Sequence, residues 1–360
     1  MRDYTTKTVY VGVDVHKKTY AVTAICEGQV VKRDSLKGDP AVLITYLKKH
    51  FVGAQIESAY EAGFCGFHLH RLLVAAGIKN RVVDAAGMEV AVGDRVKTDK
   101  RDSLKIATHL SQGRLKGIHV PSPEREWRRT VTRLRDNIVK QRTRIGNQLK
   151  SLLFLNGLIS ADSNKKISLN WVKSIQALKL SKDLEYTLGQ YVEMWLEMDA
   201  RIKKINQEIN EQAETDKTLE EVYRSVPGVG PTSARILANE LEDTSQFGNE
   251  RQLFSYVGLT PTEYSSGEHV RQGHITRQGR PILRKILTQV AWMAVRRDLS
   301  LKEIFVRLSK RVGSKKAIIG IARRLVGRIR ACFRTGKLYS VKTDPNPSCQ
   351  ENELYDLALA

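Results

Sequence analysis

Cysteine is scarce: the 360-residue chain has only Cys26, Cys65, Cys332 and Cys349, with no CxxC pair and no CxxC…HxxxH spacing. A disulfide framework and a structural zinc site are therefore not expected, and the scattered thiols suit a reducing compartment. The N-terminus, MRDYTTKTVYVG, lacks the apolar core of a signal peptide. No stretch reaches the roughly 18 uncharged apolar residues of a membrane span, so a cytoplasmic protein without a membrane partner is expected. There is no Gly-x-Ser-x-Gly elbow, and no Gly-Lys-Ser/Thr follows the glycine pair Gly228 and Gly230. Nucleophile-elbow hydrolases and Walker-type nucleotide binding drop out accordingly. Repeats of solenoid length and low-complexity blocks are also missing.

Acid is in deficit. Against 60 Lys plus Arg stand 39 Asp plus Glu, a net charge of +21. Such a surplus favours an anionic polymer, because each phosphate contact releases condensed counterions; nucleic acid is the leading partner class. Hydrophobic residues at 41% and charged residues at 28% are ordinary globular values, so most of the chain should fold. At roughly 100 to 200 residues per domain, the length suits two domains, or two and a connecting module.

From Thr8 the segments TVYVGVDV, KKTYAVTAICEG and QVVKRDSL, rich in Val, Ile, Tyr and Thr and separated by turn residues, read as three antiparallel strands. PAVLITYLKKHF reads as a helix, AQIESAYE as a buried strand, FHLHRLLVAAG as a helix closed by Gly77, and IKNRVVDA as another strand, followed by a helix carrying Asp99 and Asp102. That order predicts a mixed sheet flanked by helices, an α/β layer. Beyond VPSPE the pattern changes to a heptad seam, Trp127, Val131, Leu134, Ile138, Gln141, Ile145 and Gln148 or Leu149. A second seam runs Leu184, Leu188, Tyr191, Trp195, Met198, Ile202, Ile205, Ile209. The two helices, joined around NGLISADSNKK, suit an antiparallel hairpin or pairing with a second copy. The expected division is 1–118, an α/β domain; 119–218, a coiled-coil helical linker; 219–340, a mostly α C-terminal domain; and 341–360, a loose tail.

Four acids carry the chemical reading. Asp14 ends the first strand and Glu61 the fourth; if these strands are neighbours, both carboxylates emerge at the carboxyl edge of the sheet, where open α/β sheets place their sites. Asp99 and Asp102, three apart on a helix, share a face and can approach from above. Four converging carboxylates need divalent cations to neutralise them, and hard oxygen ligands suit Mg2+ or Mn2+. Two such ions can hold the attacking and leaving oxygens of a phosphoryl transfer. His16, two residues after Asp14, could orient a phosphate or a ligand but reads first as a satisfied structural histidine, and the pair His68 and His70 reads as structural.

In the C-terminal region, TPTEYSSGEHVRQGHITRQGRPILRK holds Ser265 and Ser266 ahead of Gly267, with Arg271, Arg277, Arg280, Arg284 and Lys285 close behind. Arginines can stabilise charge on a transferred phosphoryl group, and glycines 267, 273 and 279 let backbone approach a phosphate. On its own, serine beside glycine reads as a turn. Upstream, VPGVGPTSARILANEL sets Gly228 and Gly230 before a helix start, where backbone amides can hold a phosphate as in a helix-hairpin-helix element. Downstream, RLSKRVGSKKAIIGIARRLVGRIR, with Arg323 and Arg324, has no acid at all, and its apolar Ile318, Ile321, Leu325 and Ile329 form an inward face. Membrane-surface binding fits the amphipathic pattern of that tract as well, but beside the rest of the chain it ranks below nucleic acid.

GVDVHK, YEAG, KTDKRDS, VPGVGPTSA and GLTPTEYSSGEHVRQGHITRQG followed by LRK, in this order, resemble the DEDD transposases of the insertion sequence 110 type over nearly the whole chain. The resemblance implies a RuvC-like, RNase H-like N-terminal domain whose D, E, D, D metal ligands fall on Asp14, Glu61, Asp99 and Asp102. It further implies a C-terminal serine that becomes covalently joined to DNA; this corresponds to Ser266, with Ser265 one position away. It also implies that the N-terminal and serine-bearing domains of different subunits complete one another's site, in a homodimer or homotetramer joined by the coiled coil. A structured guide RNA pairing with donor and target DNA is implied as well, in a bacterial, nucleoid-associated setting. Two rivals stay open: a metal-dependent junction nuclease without a covalent intermediate, and an architectural nucleic-acid-binding protein without chemistry.

Overall fold

The computed structural model describes residues 3–84, 99–160, 166–178, 180–264, 269 and 271–341. Its contacts divide the chain after Ser122 into two compact units. In the first, β1 (Thr8–Val15), β2 (Thr19–Cys26) and β3 (Gln29–Lys37) form an antiparallel meander. There follow α1 (Pro40–His50), β4 (Gln55–Glu61), α2 (His68–Ala75), β5 (Lys79–Val83) and α3 (Asp99–Ser111). The sheet order is β3-β2-β1-β4-β5, with β4 parallel to both β1 and β5. This is the mixed α/β layer expected from the order of elements.

Strand alternation decides which face each helix covers. Val9, Val11 and Val13 point to one side of β1 and pack with Leu43 and Leu47 of α1 and Leu69 and Leu73 of α2. Tyr10, Gly12 and Asp14 point to the other side, where Ala59, Val83, Ile106 and Leu110 form a smaller cluster under α3. The β2 strand is covered on both faces and reads as an almost unbroken buried run. Asp39 caps α1 by accepting from the Ala41 amide, with Pro40 in the first turn.

The second unit opens with two 33-residue helices, α4 (Pro123–Leu155) and α6 (Lys182–Glu214). They run antiparallel, as the pairs Arg142 with Asp199 and Arg135 with Asn206 require. A short helix, α5 (Leu169–Gln176), closes one end, burying Val172 and Ile175 among Leu149, Leu153, Leu188, Val192 and Trp195. The second heptad seam faces inward at Leu188, Trp195, Ile202 and Ile209. The first differs from its sequence reading: Trp127 is 53% and Leu134 50% exposed, whereas Arg128, Arg129 and Thr132 are buried.

The reason for that difference is α8 (Pro231–Leu241), which packs against the first turns of α4 and offers acceptors instead of an apolar stripe. Arg129 donates to the Asn239 carbonyl at 2.7 Å, and Arg133 makes a bidentate pair with the buried Glu240 at 2.7 and 2.8 Å. Between α6 and α8 lies α7 (Lys217–Ser225). The remaining elements are α9 (Glu250–Tyr256), a hairpin of β6 (Pro261–Glu263) and β7 (Gln272–Ile275), α10 (Pro281–Arg297), α11 (Leu299–Val312) and α12 (Ser314–Thr335). Leu237, Leu253, Leu287, Val290, Phe305, Ile321 and Leu325 belong to their common core. The unit is thus mostly helical, and among the described residues no helix is long and apolar enough to cross a membrane.

Candidate active site

Asp14 lies at the carboxyl end of β1, on the face that α3 covers. What brings α3 there is Gly12: a Cβ at that position would lie 2.1 Å from the Ser103 carbonyl oxygen and 2.4 Å from the Ala107 amide nitrogen. The helix backbone therefore rests directly on the strand, an approach only glycine permits. A buried hydrogen bond of 2.9 Å between the hydroxyls of Thr23 and Ser103 fixes the same helix over β2. With α3 seated this way, its first turn, carrying Asp99 and Asp102, lies over the end of β1. Gly12→Ala is expected to lift α3, lowering the stability of the first unit by about 1 to 3 kcal/mol in the manner of core overpacking. Chemical denaturation measures that loss.

The side chains that meet are Asp14, His16 and Asp99, whose ligand atoms all lie within 4.8 Å of one another. His16 Nε2 is 3.1 Å from Asp14 Oδ2 and 3.2 Å from Asp99 Oδ1. Burial pushes the Asp14 carboxyl above the ordinary aspartate range; the charges of Asp102 and Asp99 push the same way, and His16 opposes them. Asp102 is thus close enough to be felt by Asp14, though it stands outside the tight group. Glu61 ends β4, the parallel neighbour of β1; the pairing of Gly12 with Ala59 and Val13 with Tyr60 carries Glu61 to the same edge and face as Asp14. It too lies outside the tight group.

The donor set suits a divalent cation. His16 Nε2 is hydrogen-bonded to Asp14 and ion-paired with Asp99, and a six-coordinate ion with bonds of about 2.1 Å, which holds its ligand atoms roughly 3 to 4 Å apart, can be met by three donor atoms that all lie within 4.8 Å of one another. Asp99 is 61% exposed and His16 46%, so an ion can enter from solvent. His16, which the sequence offers first as a structural histidine and second as one that could orient a phosphate or a ligand, is paired with both Asp14 and Asp99, and the contact with Asp99 is the part that sequence alone does not give. The available signal was its i, i+2 relation to Asp14, which places both on one face of an extended segment. His70 does prove to be tied up in the fold, its Nδ1 lying 2.8 Å from Asn80 Oδ1.

In the second unit, Ser265, Ser266 and Gly267 lie outside the described residues, as does the tail from 342. The hairpin leading to the serines is described, and Tyr264 donates its amide to the Arg271 carbonyl at 2.9 Å. Arg271 and Arg277 are exposed, and Arg280 precedes α10. Arg284 has internal work: its Nη1 donates to the carbonyls of Gln278 at 3.0 Å and Gly279 at 3.3 Å. Lys285 pairs with Asp136 at 2.8 Å. Gly279, expected to admit a phosphate, instead admits backbone, since a Cβ there would lie 2.4 Å from the Tyr256 carbonyl oxygen. Gly228 packs against Val290 and Met293 of α10, whereas Gly230 stands open as the residue before α8. Arg323 stacks over Phe254 at 4.8 Å, and Arg324 is exposed.

Comparison with known proteins joins these observations. A profile described as DEDD transposase of the IS110 type matches residues 11–155, spanning β1 through α4, and one described as the transposase IS116/IS110/IS902 family matches residues 220–305. A putative transposase, y4rJ, of Sinorhizobium fredii is 29% identical, the match covering 74% of this chain and 74% of the relative. The transposase for insertion sequence element IS1111A of Coxiella burnetii is 25% identical over 86% of this chain and 85% of its own. That for IS1533 of Leptospira borgpetersenii is 26% identical over 91% and 96%. With both profiles matched in order along the chain, and insertion-sequence transposases similar over most of its length, the chain belongs to the DEDD transposases of the insertion sequence 110 type, enzymes that cut and rejoin DNA.

Proposed function

We propose that Asp14, Glu61, Asp99 and Asp102 hold divalent cations, Mg2+ or Mn2+, and that Ser266 is the nucleophile that takes over a DNA strand end. The observation that carries the reading is the approach of Asp14 and Asp99 to one imidazole nitrogen at ligand-to-ligand spacing, on strand and helix ends otherwise far apart in sequence. The bound cation supplies charge neutralisation at the scissile phosphate. Asp14 and Glu61, on rigid parallel strands, and Asp99 and Asp102, on a helix seated against Gly12, fix the place where that phosphate must lie. The Ser266 oxygen forms a bond to phosphorus as the bond to the departing DNA oxygen breaks; the serine proton is lost and the departing oxygen gains one. Attack by a DNA hydroxyl reverses the exchange, so the phosphodiester is conserved and no nucleotide triphosphate is needed. Exposed Arg271 and Arg277 stabilise the developing charge.

The same reading assigns phosphate contacts to Gly230 with the start of α8, in a helix-hairpin-helix-like arrangement of α7 and α8, and to Arg323 and Arg324. It takes the antiparallel α4 and α6 as a coiled coil through which copies assemble as dimers or tetramers, and it takes a structured RNA as the guide to donor and target DNA. The four regions are 1–118, RuvC-like; 119–218, coiled coil; 219–340, serine-bearing; and 341–360, tail. The test is a denaturing-gel assay for protein joined to labelled DNA. The adduct is expected from the wild type and from Ser265→Ala, and is expected to vanish in Ser266→Ala. An adduct that survives Ser266→Ala, or cleavage with no adduct at all, contradicts the serine assignment.

A further inference from the structure

We infer that His16 is itself a ligand of the divalent cation, so that the centre has a nitrogen donor beside its carboxylates. This rests on the metal site proposed above and adds to it a residue outside the four acids. The geometry points to it directly: Nε2 lies 3.1 Å from Asp14 Oδ2 and 3.2 Å from Asp99 Oδ1, so an ion shared by those carboxylates meets that nitrogen as well. The backbone helps to hold the ring there, since the His16 amide donates to the Thr19 carbonyl at 2.9 Å and closes the turn between β1 and β2. A histidine pinned at the head of a two-strand turn keeps its ring beside Asp14, its near neighbour on the same side of the chain. In the structure Nε2 is hydrogen-bonded to Asp14, and the tautomer with its ring hydrogen on Nδ1 would instead offer the Nε2 lone pair to an ion held between the carboxylates.

A nitrogen donor changes which ion the site prefers. Carboxylates alone suit Mg2+, Ca2+ and Mn2+ alike, whereas imidazole favours ions later in the first transition row. The centre should accordingly bind Mn2+ more tightly than Mg2+, and His16→Asn, which keeps a polar side chain at an exposed position, should reduce Mn2+ affinity by about tenfold while leaving Mg2+ affinity nearly unchanged.

The experiment is pulsed electron paramagnetic resonance on the full-length protein with one equivalent of Mn2+. The wild type is expected to show nuclear modulation from a directly bound histidine nitrogen, altered when the histidines carry 15N and lost in His16→Asn with Mn2+ still bound. The 15N arm needs no substitution, so it stands even if a variant folds poorly. Mn2+ that binds and is lost in Asp14→Asn, but shows no nitrogen modulation in the wild type, overturns the His16 assignment and leaves the carboxylate site standing. Modulation that persists in His16→Asn overturns it too, by assigning another histidine. Failure of the wild type to bind Mn2+ overturns both readings.

Discussion

Asp14→Asn is expected to abolish DNA strand cleavage, lowering the rate at least about a thousandfold, on the order of 4 kcal/mol of transition-state stabilisation, while the fold persists. The size follows from position. Asp14 is 17% exposed, reaches Asp99 through one imidazole nitrogen, and feels the charge of Asp102. Asparagine keeps its shape and one oxygen but removes the charge that neutralises a cation. Folding should not suffer, because the Asp14 carboxyl is already held above its ordinary range by burial, so the neutral amide is at least as well accommodated. Single-turnover cleavage of labelled DNA, with circular dichroism as the folding control, measures the effect. Asp99→Asn should behave alike. A variant that cleaves at a tenth of the wild-type rate or better would remove Asp14 from the chemistry.

Asp216→Ala is expected to destabilise the second unit by about 3 to 5 kcal/mol, the cost of breaking a buried ion pair from one side. Asp216 Oδ2 accepts from Arg125 at 2.6 Å, Arg128 at 3.3 Å and Arg235 at 2.6 Å. Arg235 is completely buried, so removing Asp216 leaves its guanidinium away from water with only the Gln212 carbonyl at 3.1 Å and the Glu220 carboxylate at 3.6 Å. Against a typical total of about 5 to 15 kcal/mol, the loss is large. Hydrogen exchange along α4 and α8 reads it without assuming that the whole chain unfolds in one step. The pH dependence has a definite sign. Burial alone would raise the Asp216 carboxyl, yet the hydrogen bonds from Arg125 and Arg235 outweigh it and hold the group below the ordinary aspartate value of about 3.9. Its contribution is therefore fully present above about pH 4 and is lost as pH falls through the lower folded value. Asp298, buried but bonded to Ser300, Tyr339 and Arg328, adds a second contribution of the same sign.

Where local pattern and packing agree, the sequence was enough. Alternating Val9, Val11 and Val13 announced β1 and its buried face, and the acids at the ends of β1 and β4 could be placed at one sheet edge because consecutive strands and helices leave few topologies open. The long helices were legible from their seams, but the first turns of α4 were not. A seam counts apolar residues, and arginines satisfied by the carbonyls and carboxylates of α8 look in sequence like a solvated face. Gly12 carried a readable hint, a lone glycine inside a strand, but only the seated helix shows what it admits. Arg284 and Lys285 were legible as charge; their partners Gln278, Gly279 and Asp136 are tertiary facts that no spacing encodes. For His16 the sequence left a structural and a ligand-orienting role open, since one histidine after a strand has no distinguishing pattern until Asp99 arrives from another element.

The most direct measurement is anomalous diffraction at the manganese edge from crystals of the protein with DNA and Mn2+. The expected result is a peak about 2 Å from carboxylate oxygens of Asp14 and Asp99 and beside the DNA phosphate that is cut. An anomalous map with no peak at this sheet edge, from crystals whose dissolved protein still cleaves DNA in the same metal, would contradict it.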